Sequence, residues 1–413
     1  MISEQKAGRP AGICSICSSH PIVIEAAMEH YKAIGRPLLI ESTSNQVNQY
    51  GGYTGLKPRD FSDYIEGIAR KTGFDTDMVI LGGDHLGPFA WCGENAESCM
   101  EKSEALVRAY VQAGYEKIHI DTSMRLGDDD PDAKLGTGAI AERAARLCRV
   151  AEEAWDGQNS KPVYVIGSEV PVPGGAQENE DALQVTPVED AKETLREFED
   201  SFSRYGLQDA WERVAALVVQ PGVEYADNTI IPYDRGKAAD LCAYIRHTRF
   251  ILEGHSTDYQ TREALHRMME DGIAILKVGP ALTFAMREGL FALEMMEREL
   301  CTGTEPSRFS AILEAEMLQD TRHWQKYYQG TPDEQCTMRK YSLSDRCRYY
   351  LSTRAIEDAV QRLIQNMRQV QAPLGMLSQY MPEQFKKVAA GTLAPGPYEW
   401  VKDKVRDVLR DYD

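Results

Sequence analysis

The chain has 413 residues, of which 43% are hydrophobic and 27% charged, a composition typical of a globular protein with room for one large barrel or two domains. Its formal net charge of −18 argues against a function in binding nucleic acid or anionic membrane surfaces, because such binding relies on lysine and arginine. The sequence therefore favours a small molecule or another protein as the partner.

Eight short apolar, β-branched runs follow one another along the first two-thirds of the chain, and each ends in a polar or glycine-containing cluster. In chain order, the predicted strands are residues 12–18, 38–41, 78–82, 117–121, 162–168, 216–220, 250–253 and 274–279. The predicted helices alternate with them, at residues 22–34, 58–71, 96–113, 138–155, 188–205, 235–246, 260–269 and 282–300. This rhythm predicts an α/β fold of the closed (β/α)8 TIM-barrel type rather than an open sheet.

The remainder of the chain has a different character. From about residue 302 it is charged and of helical period, with a turn at 371–375 and a stretch rich in glycine and proline at 391–397. We predict that residues 1–300 form the barrel and carry the site. Residues 301–413 are predicted to form a helical C-terminal extension packed on the barrel.

Two further features concern the compartment of the protein. The sequence has no apolar run of about 18 residues, and its first residues lack the apolar segment of a secretory signal. The nine cysteines have irregular spacing, which is typical of reduced thiols rather than of a disulfide framework. We expect a cytoplasmic protein with free cysteines.

In a barrel of this type, the active residues lie at the carboxyl ends of the strands. The chemically unusual residues of this sequence are found at those positions: Glu41, Asp84, His85, Asp121, Glu169, Gln220, His255 and Lys277. Strand alternation places His119 and Asp121 on the same face, towards the barrel interior. We interpret His119 as an interior histidine with satisfied hydrogen bonds rather than as a ligand.

The block at residues 80–88, ILGGDHLGP, is the most informative because an apolar strand runs directly into Asp84 and His85 between glycines. If the barrel closes, the imidazoles of His85 and His255 meet oxygen donors from Glu169 and Gln220. Such a donor set can form a metal site with an open coordination position, next to a carboxylate that moves a proton. The alternative is a hydrogen-bonded structural pair at the rim of the barrel.

The stretch at residues 41–55 follows the second predicted strand and is rich in amides. Glu41, Asn45 and Gln46 are candidates for binding sugar hydroxyls, because carboxylates and amides supply hydrogen-bond acceptors and amides also supply donors. Tyr53 could stack on a sugar face. The alternative is a tightly hydrogen-bonded structural turn.

Three other features have competing interpretations. The spacing of Cys14 and Cys17 is typical of metal or redox sites, but without a second pair it favours core packing. His20 could line the site or cap the helix that follows. In the 345–348 block, Arg346 and Arg348 could reach a substrate phosphate, although we favour a structural role.

Taken together, seven sequence blocks resemble one known family. They are residues 12–21 GICSICSSHP, 41–55 ESTSNQVNQYGGYTG, 82–88 GGDHLGP, 117–124 KIHIDTSM, 167–175 GSEVPVPGG, 219–223 VQPGV and 341–350 YSLSDRCRYY. The chain resembles the GatZ/KbaZ family of D-tagatose-1,6-bisphosphate aldolase subunits, which are also labelled tagatose 6-phosphate kinases. That family is in turn similar to the class II, zinc-dependent ketose-bisphosphate aldolases. The sequence has no Walker loop or kinase glycine loop, so kinase chemistry has no mechanism here.

The resemblance implies metal-dependent retro-aldol or aldol chemistry on a ketose or ketose phosphate, with net cleavage or 4-epimerisation. It implies Asp84 as the proton-transfer residue, His85 and His255 as metal ligands, and Glu169 near the metal. Combined with the strand-end positions, the predicted roles are catalysis by Asp84, Glu169 and Asp121; metal binding by His85, His255, Gln220 and Glu169; and substrate binding by Glu41, Asn45, Gln46 and Lys277. Zinc is the expected metal. Because Gln220 stands where class II aldolases have a metal histidine, manganese, cobalt and magnesium are alternatives.

The family name also implies an alternative function, that of a non-catalytic subunit that stabilises a separate tagatose-1,6-bisphosphate aldolase polypeptide. A sugar-phosphate-binding or regulatory protein is a third interpretation. The expected partners are accordingly a sugar or sugar phosphate, such an aldolase catalytic subunit, or a second copy of this chain.

Overall fold

A computed structural model describes residues 1–130, 132, 135–168 and 183–413. Within them, eight parallel strands close into a barrel in the order β1-β8-β7-β6-β5-β4-β3-β2. The strands are β1 (Ile13–Ile16), β2 (Leu38–Thr43), β3 (Val79–Leu86), β4 (Lys117–Ile120), β5 (Val163–Ile166), β6 (Val214–Val219), β7 (Ile251–Gly254) and β8 (Ile273–Val278). The barrel closes where Ile13 of β1 lies opposite Ile275 of β8. The predicted (β/α)8 fold is confirmed.

The helices surround this barrel and continue beyond it. Those that cover the strands are α1 (Ile2–Lys6), α2 (Pro21–Ile34), α3 (Pro58–Thr72), α4 (Ala96–Gln112), α5 (Thr137–Ala154), α6 (Val188–Arg204), α7 (Gln208–Glu212), α8 (Arg235–Arg246), α9 (Arg262–Glu270) and α10 (Pro280–Leu300). Those that follow are α11 (Phe309–Gln319), α12 (Pro332–Tyr341), α13 (Arg354–Arg368), α14 (Leu374–Tyr380), α15 (Pro382–Ala389) and α16 (Pro397–Arg410).

Most predicted elements overlap the observed ones. Within the described ranges, the structure adds the short helices α1 and α7, short 3-10 helices, and a two-stranded antiparallel hairpin, Glu224–Tyr225 with Ile230–Ile231, that follows β6. The start of α2 illustrates the local rules, because Nδ1 of His20 accepts a hydrogen bond from the backbone of Ile22 at 3.3 Å and Pro21 occupies the first turn. Of the two roles considered for His20, the structure shows that it caps the helix that follows.

The barrel interior has an apolar half and a charged half. The apolar half is a small core separate from the larger core between strands and helices, and Ile2 of α1 packs against it. Its buried members are Leu39, Val165, Ala216, Val218, Ile251, Ala274 and Ile275. The charged half contains Glu41, Lys117, Glu253 and Lys277, all buried. Charged side chains in that position direct attention to the carboxyl ends of the strands.

The last helices lie against the barrel helices. Helix α16 contacts α2 and α10, and α13 contacts α10 and α11. Between α12 and α13, Asp345 pairs with Arg287 of α10 at 3.1 Å, and both side chains are buried. This pair ties the segment before α13 to the barrel. Among the residues that the structure describes, no helix is long and apolar enough to cross a membrane.

Candidate active site

A β-bulge in β3 brings Asp84 and His85 to the same side of the strand. Gly83 lies opposite Ile118 of β4 and Leu86 opposite Ile120, so β3 has one residue more than its partner between these points. His85 has a φ of 48°, in the left-handed region that is uncommon for residues other than glycine. Two adjacent side chains that would otherwise alternate therefore both face the barrel interior.

Two glycines of the same block are required by close packing. A Cβ on Gly82 would lie 2.6 Å from Cγ of Glu41, and a Cβ on Gly87 would lie 1.8 Å from the carbonyl oxygen of Asp121. Both distances are shorter than a non-bonded contact allows. The glycines thus let β3 approach its neighbours on both sides of the Asp84-His85 pair.

Three imidazoles meet inside the barrel mouth. The ring centroids of His85 and His119 are 5.1 Å apart, those of His85 and His255 5.0 Å, and those of His119 and His255 5.4 Å. They come from β3, β4 and the loop after β7. Ligand atoms of Asp84 and of the three histidines all lie within 4.8 Å of one another. These four residues are called the histidine cluster below.

Each imidazole of the histidine cluster is held by a carboxylate. Nδ1 of His85 lies 2.7 Å from Oδ2 of Asp121, and Nε2 of His255 lies 2.9 Å from Oε1 of Glu253. Nδ1 of His119 lies 2.8 Å from Oδ1 of Asp84. An ionised carboxylate can only accept a hydrogen bond, so the ring hydrogen resides on the contacting nitrogen and the other nitrogen keeps its lone pair. Carboxylate-oriented histidines of this kind are typical of metal sites.

The second nitrogen of His119 provides an independent test of this arrangement. Nε2 of His119 is buried and has no hydrogen-bond partner among the described residues. The backbone N–H of His85 also points at Nδ1 of His119, at 3.2 Å, but the shorter contact to the carboxylate of Asp84 requires a hydrogen on that nitrogen. Buried polar atoms without a partner are rare and call for an unseen ligand. The cluster fits a divalent metal bound by imidazole nitrogens.

A buried ionic network lies next to the histidine cluster. Nζ of Lys117 lies 2.8 Å from both Glu41 and Glu253. Nζ of Lys277 lies 3.0 Å from Glu41 and 2.5 Å from Asp84. With the carboxylate of Asp121, two ammonium groups face four carboxylates. If the imidazoles are neutral, two negative charges remain, which matches a divalent cation.

The electrostatics of the site favour ionised carboxylates. Burial acts to raise the pKa of Asp84, but in the metal-free chain the protonated form of His85 and the ammonium group of Lys277 outweigh it and hold that pKa well below its usual range. Burial likewise acts against ionisation of Asp121, yet the hydrogen bond from His85 lowers its pKa to about 2. Burial lowers the pKa of His255 to about 3. His255 is therefore a neutral imidazole, the form that binds metals.

A cavity opens above the histidine cluster, and its wall joins the barrel loops to the segment before α13. The residues that line it are Cys17, Thr43, Asn45, Gln46, Tyr53, Asp84, His85, Tyr225, His255, Ser256, Asp258, Lys277, Val278, Gly279, Pro280, Arg348 and Tyr349. Amide, hydroxyl and aromatic groups above the histidine cluster are suited to a polyhydroxylated ligand.

The predicted site residues occupy three kinds of position. The residues of the prediction that line the cavity are Asp84, His85, His255, Asn45, Gln46 and Lys277. Glu41 and Asp121 lie behind it: Glu41 is buried between Lys117 and Lys277, and Asp121 holds His85. Glu41 is thus placed to orient the lysines rather than to touch a sugar.

One predicted metal ligand, Gln220, is not brought to the cluster. Oε1 of Gln220 accepts a hydrogen bond from the backbone of Gly222 at 2.8 Å, and Gln220 is not among the residues lining the cavity. Glu169, the other predicted oxygen ligand, lies outside the described residues. His119 adds a third imidazole to the cluster, and our interpretation of it as fully satisfied holds for only one of its two nitrogens.

Two contributors to the site were not predicted from the sequence. Strand alternation gave a signal for both, because His119 and Glu253 each lie two residues before an inward-facing residue at a strand end. For Arg348 the sequence left a phosphate contact and a structural role open, and the structure places this residue in the cavity lining. Of the cysteine pair, Cys14 belongs to the core as expected, whereas Cys17 lines the cavity. All nine cysteines are free.

Comparison with known proteins assigns the family. The sequence profile described as D-tagatose-1,6-bisphosphate aldolase subunit GatZ/KbaZ-like matches residues 1–413. The chain belongs to the GatZ/KbaZ-like family. Among its relatives, the D-tagatose-1,6-bisphosphate aldolase subunit GatZ of Salmonella gallinarum is 48% identical over 413 residues, which is 100% of this chain and 97% of the relative. The protein of the same name from Escherichia coli O1:K1 / APEC is also 48% identical, over 100% of this chain and 98% of the relative.

A solved structure of a similar protein supports the fold over most of the chain. The crystal structure of a probable tagatose 6 phosphate kinase from Sinorhizobium meliloti 1021 is 41% identical and superposes with a TM-score of 0.89. The superposition covers 97% of this chain and 99% of that chain. This GatZ/KbaZ-like chain thus shares its fold with that protein from the barrel to the last helices.

Proposed function

We propose that this chain is a carbohydrate-metabolism protein of the tagatose-bisphosphate aldolase type. We further propose that it has its own metal-dependent retro-aldol and aldol chemistry on a ketose or ketose phosphate. The observation that carries the proposal is the set of three imidazoles that meet beside Asp84, each held by a carboxylate, with His85, His255 and Asp84 lining one cavity. The reaction outcome is cleavage, or 4-epimerisation if the aldehyde fragment turns over and recondenses.

The ligands in this proposal are His85, His119 and His255, with Asp84 beside them. A divalent metal held there, with zinc expected first and manganese, cobalt or magnesium as alternatives, would supply Lewis acidity towards the carbonyl and enolate oxygens of a ketose. Asp121 and Glu253 keep the imidazoles oriented, since each accepts the hydrogen of one ring nitrogen.

Asp84 is the proposed proton-transfer residue. Its carboxylate lines the cavity and lies 2.5 Å from Nζ of Lys277, whose charge favours the ionised form. In this form the carboxylate can accept the proton of the C4 hydroxyl while the C3–C4 bond breaks, and return it when the bond forms again.

The polar wall holds the sugar. Oε1 of Gln46 accepts a hydrogen bond from the backbone of Thr43 at 2.9 Å, which leaves its NH2 group to donate to a hydroxyl. Asn45 offers a second amide on the same side, and Tyr53 presents an aromatic ring. These groups would fix the chain of the ketose with respect to Asp84.

The second candidate function is that of a non-catalytic subunit. The curated relatives are named as subunits of D-tagatose-1,6-bisphosphate aldolase, which favours a role in stabilising a separate aldolase polypeptide. The two proposals differ in whether the histidine cluster is needed.

The deciding experiment uses the purified chain alone. We expect near-stoichiometric divalent metal and turnover of D-tagatose, D-fructose or one of their phosphates. The Asp84→Asn variant should lower turnover by about 10²- to 10⁴-fold, because a positioned proton-transfer group contributes about that much. The exposed Asp209→Asn change is the matched control and should leave turnover unchanged.

A different result would favour the second candidate. Turnover that appears only with a separate aldolase polypeptide, and that survives Asp84→Asn in this chain, would establish the subunit role. Absence of bound zinc, manganese, cobalt and magnesium after supplementation would overturn the metal site.

A further inference from the structure

The position that binds phosphate in many barrels is already filled in this chain. Substrate phosphates of TIM barrels commonly lie at the loops after β7 and β8, next to a helix N-terminus. Here Oδ1 of Asp258, in the loop after β7, accepts hydrogen bonds from the backbone of Gly279 at 3.0 Å and of Ala281 at 2.8 Å. Asp258 is buried and lines the cavity. A phosphate cannot use these two N–H groups unless the carboxylate leaves.

A cation with spare hydrogen-bond donors lies elsewhere in the same cavity wall. Arg348 lines the cavity above the histidine cluster and also the adjoining cavity that contains His20. Within the described residues, no carboxylate lies within 4.0 Å of its guanidinium. Lys277, the other cation of the lining, is paired with Asp84 and Glu41.

The hydrogen bonds of Arg348 leave part of the guanidinium free. Its Nη1 donates to the carbonyl oxygens of Ser344 and Asp345, and its Nη2 donates to the hydroxyl of Tyr349 at 2.9 Å. An arginine has five N–H donors, two on each Nη and one on Nε. One N–H on Nη2 and the N–H on Nε therefore have no partner among the described residues, and an oxyanion is the ligand that such a pair fits.

The backbone that carries Arg348 is fixed to the barrel. Asp345 adopts a left-handed φ of 44°, and its carboxylate accepts hydrogen bonds from Thr283 at 2.6 Å and Arg287 at 3.1 Å on α10. A cation held by such contacts is pre-organised, so little ordering accompanies ligand binding.

We propose that Arg348 binds the phosphate of a ketose phosphate whose carbon chain lies over the histidine cluster. This inference rests on the proposed function, since it names the substrate class of the same cavity. It makes residues beyond the barrel part of the site and moves the phosphate position from the N-terminus of α10 to the segment before α13.

The test is calorimetric titration of the full chain, as purified with its metal, with D-tagatose, D-tagatose 1-phosphate and D-tagatose 6-phosphate. In Arg348→Gln, the Kd of at least one phosphorylated ketose should rise about 10- to 100-fold, the range expected when a charge-assisted hydrogen bond is lost. The Kd of D-tagatose should stay within about twofold, because neutral hydroxyls do not need the cation. Arg348→Lys should fall between the two, since it keeps the charge but loses the fork.

Arg354→Gln is the matched control, because Arg354 is 82% exposed in the same part of the chain and pairs only with Asp358 among the described residues. It should bind every ligand as the wild type does. Equal weakening of D-tagatose and its phosphates in Arg348→Gln would overturn the inference, as would unchanged affinity for both phosphates. If the thermal unfolding midpoint of Arg348→Gln falls, the Kd values of Arg348→Lys are compared with those of the wild type instead. Selective loss of phosphate affinity in a chain without turnover would uphold the inference and refute only the catalytic proposal.

Discussion

The two halves of the barrel interior are filled by side chains of opposite character, one half by apolar groups and the other by charged groups. The apolar half, from Leu39 to Ile275, buries hydrocarbon and needs no partner beyond close packing. The charged half buries Lys117, Lys277 and their carboxylates, each of which loses hydration that only a counter-charge can offset. A second apolar half would stabilise the barrel without this loss of hydration. The contrast indicates that the charged half is maintained for the site above it.

The largest effect on the free energy of unfolding is expected when a lysine of the charged half is removed. Replacing Lys117 by methionine leaves Glu41 and Glu253 with fewer buried counter-charges, so we expect the free energy of unfolding to fall by about 3–5 kcal/mol. Urea unfolding followed by circular dichroism measures it. Lys161→Met removes an exposed pair with Asp209 and should change stability by less than about 1 kcal/mol. Equal effects would mean that burial of Lys117 carries no special cost.

The next effect concerns a buried carboxyl group outside the charged half, in the hairpin after β6. Burial raises the pKa of Glu224 to about 7, so the folded chain keeps a proton that the unfolded chain releases. The stability from this proton is complete below the unfolded pKa and is lost as the pH rises through about 7. Between about pH 5 and pH 8, the wild type should lose on the order of 3 kcal/mol more than Glu224→Gln. Parallel pH profiles for the two proteins would contradict this.

A smaller effect is expected on metal affinity when the carboxylate that orients His85 is replaced. Asp121→Asn keeps a hydrogen-bonding group near His85 but removes the carboxylate that orients the ring. We expect metal affinity to fall about 10- to 100-fold, as for other outer partners of metal histidines. Competition with a chromogenic chelator measures it. Ser123→Ala removes only a hydrogen bond to Asp121 and is the milder comparison.

The smallest effect lies in the apolar half. Ile251→Val removes one buried methylene and should lower the free energy of unfolding by about 0.5–1.5 kcal/mol. Because Ile251 belongs to the apolar half, metal affinity should be unchanged. A loss of metal in this variant would show that the two halves are not independent.

Hydrophobic rhythm predicted the barrel because parallel strands buried on both faces read as short apolar runs. The same rule could not predict the bulge of β3, since strict alternation sends Asp84 and His85 to opposite faces. It identified His119 as interior but could not show that one of its nitrogens has no partner. Gln220 was misplaced because the strand-end rule gives a position along the barrel axis and not the direction of the side chain. Asp258 and Arg348 depend on loop conformation and on contacts distant in sequence, which periodicity does not contain.

The pairing of β1 with β8 also bears on synthesis of the chain. Lys277 lies 236 residues after Glu41, and among Glu41, Asp84, Lys117, Glu253 and Lys277 it is the last to leave the ribosome. Until then the barrel cannot close, and Glu41 and Asp84 lack their shared counter-charge. Slow closure of distant contacts leaves apolar strands exposed to aggregation in the meantime. The buried ionic network next to the site is therefore completed only when β8, which carries Lys277, has been synthesised.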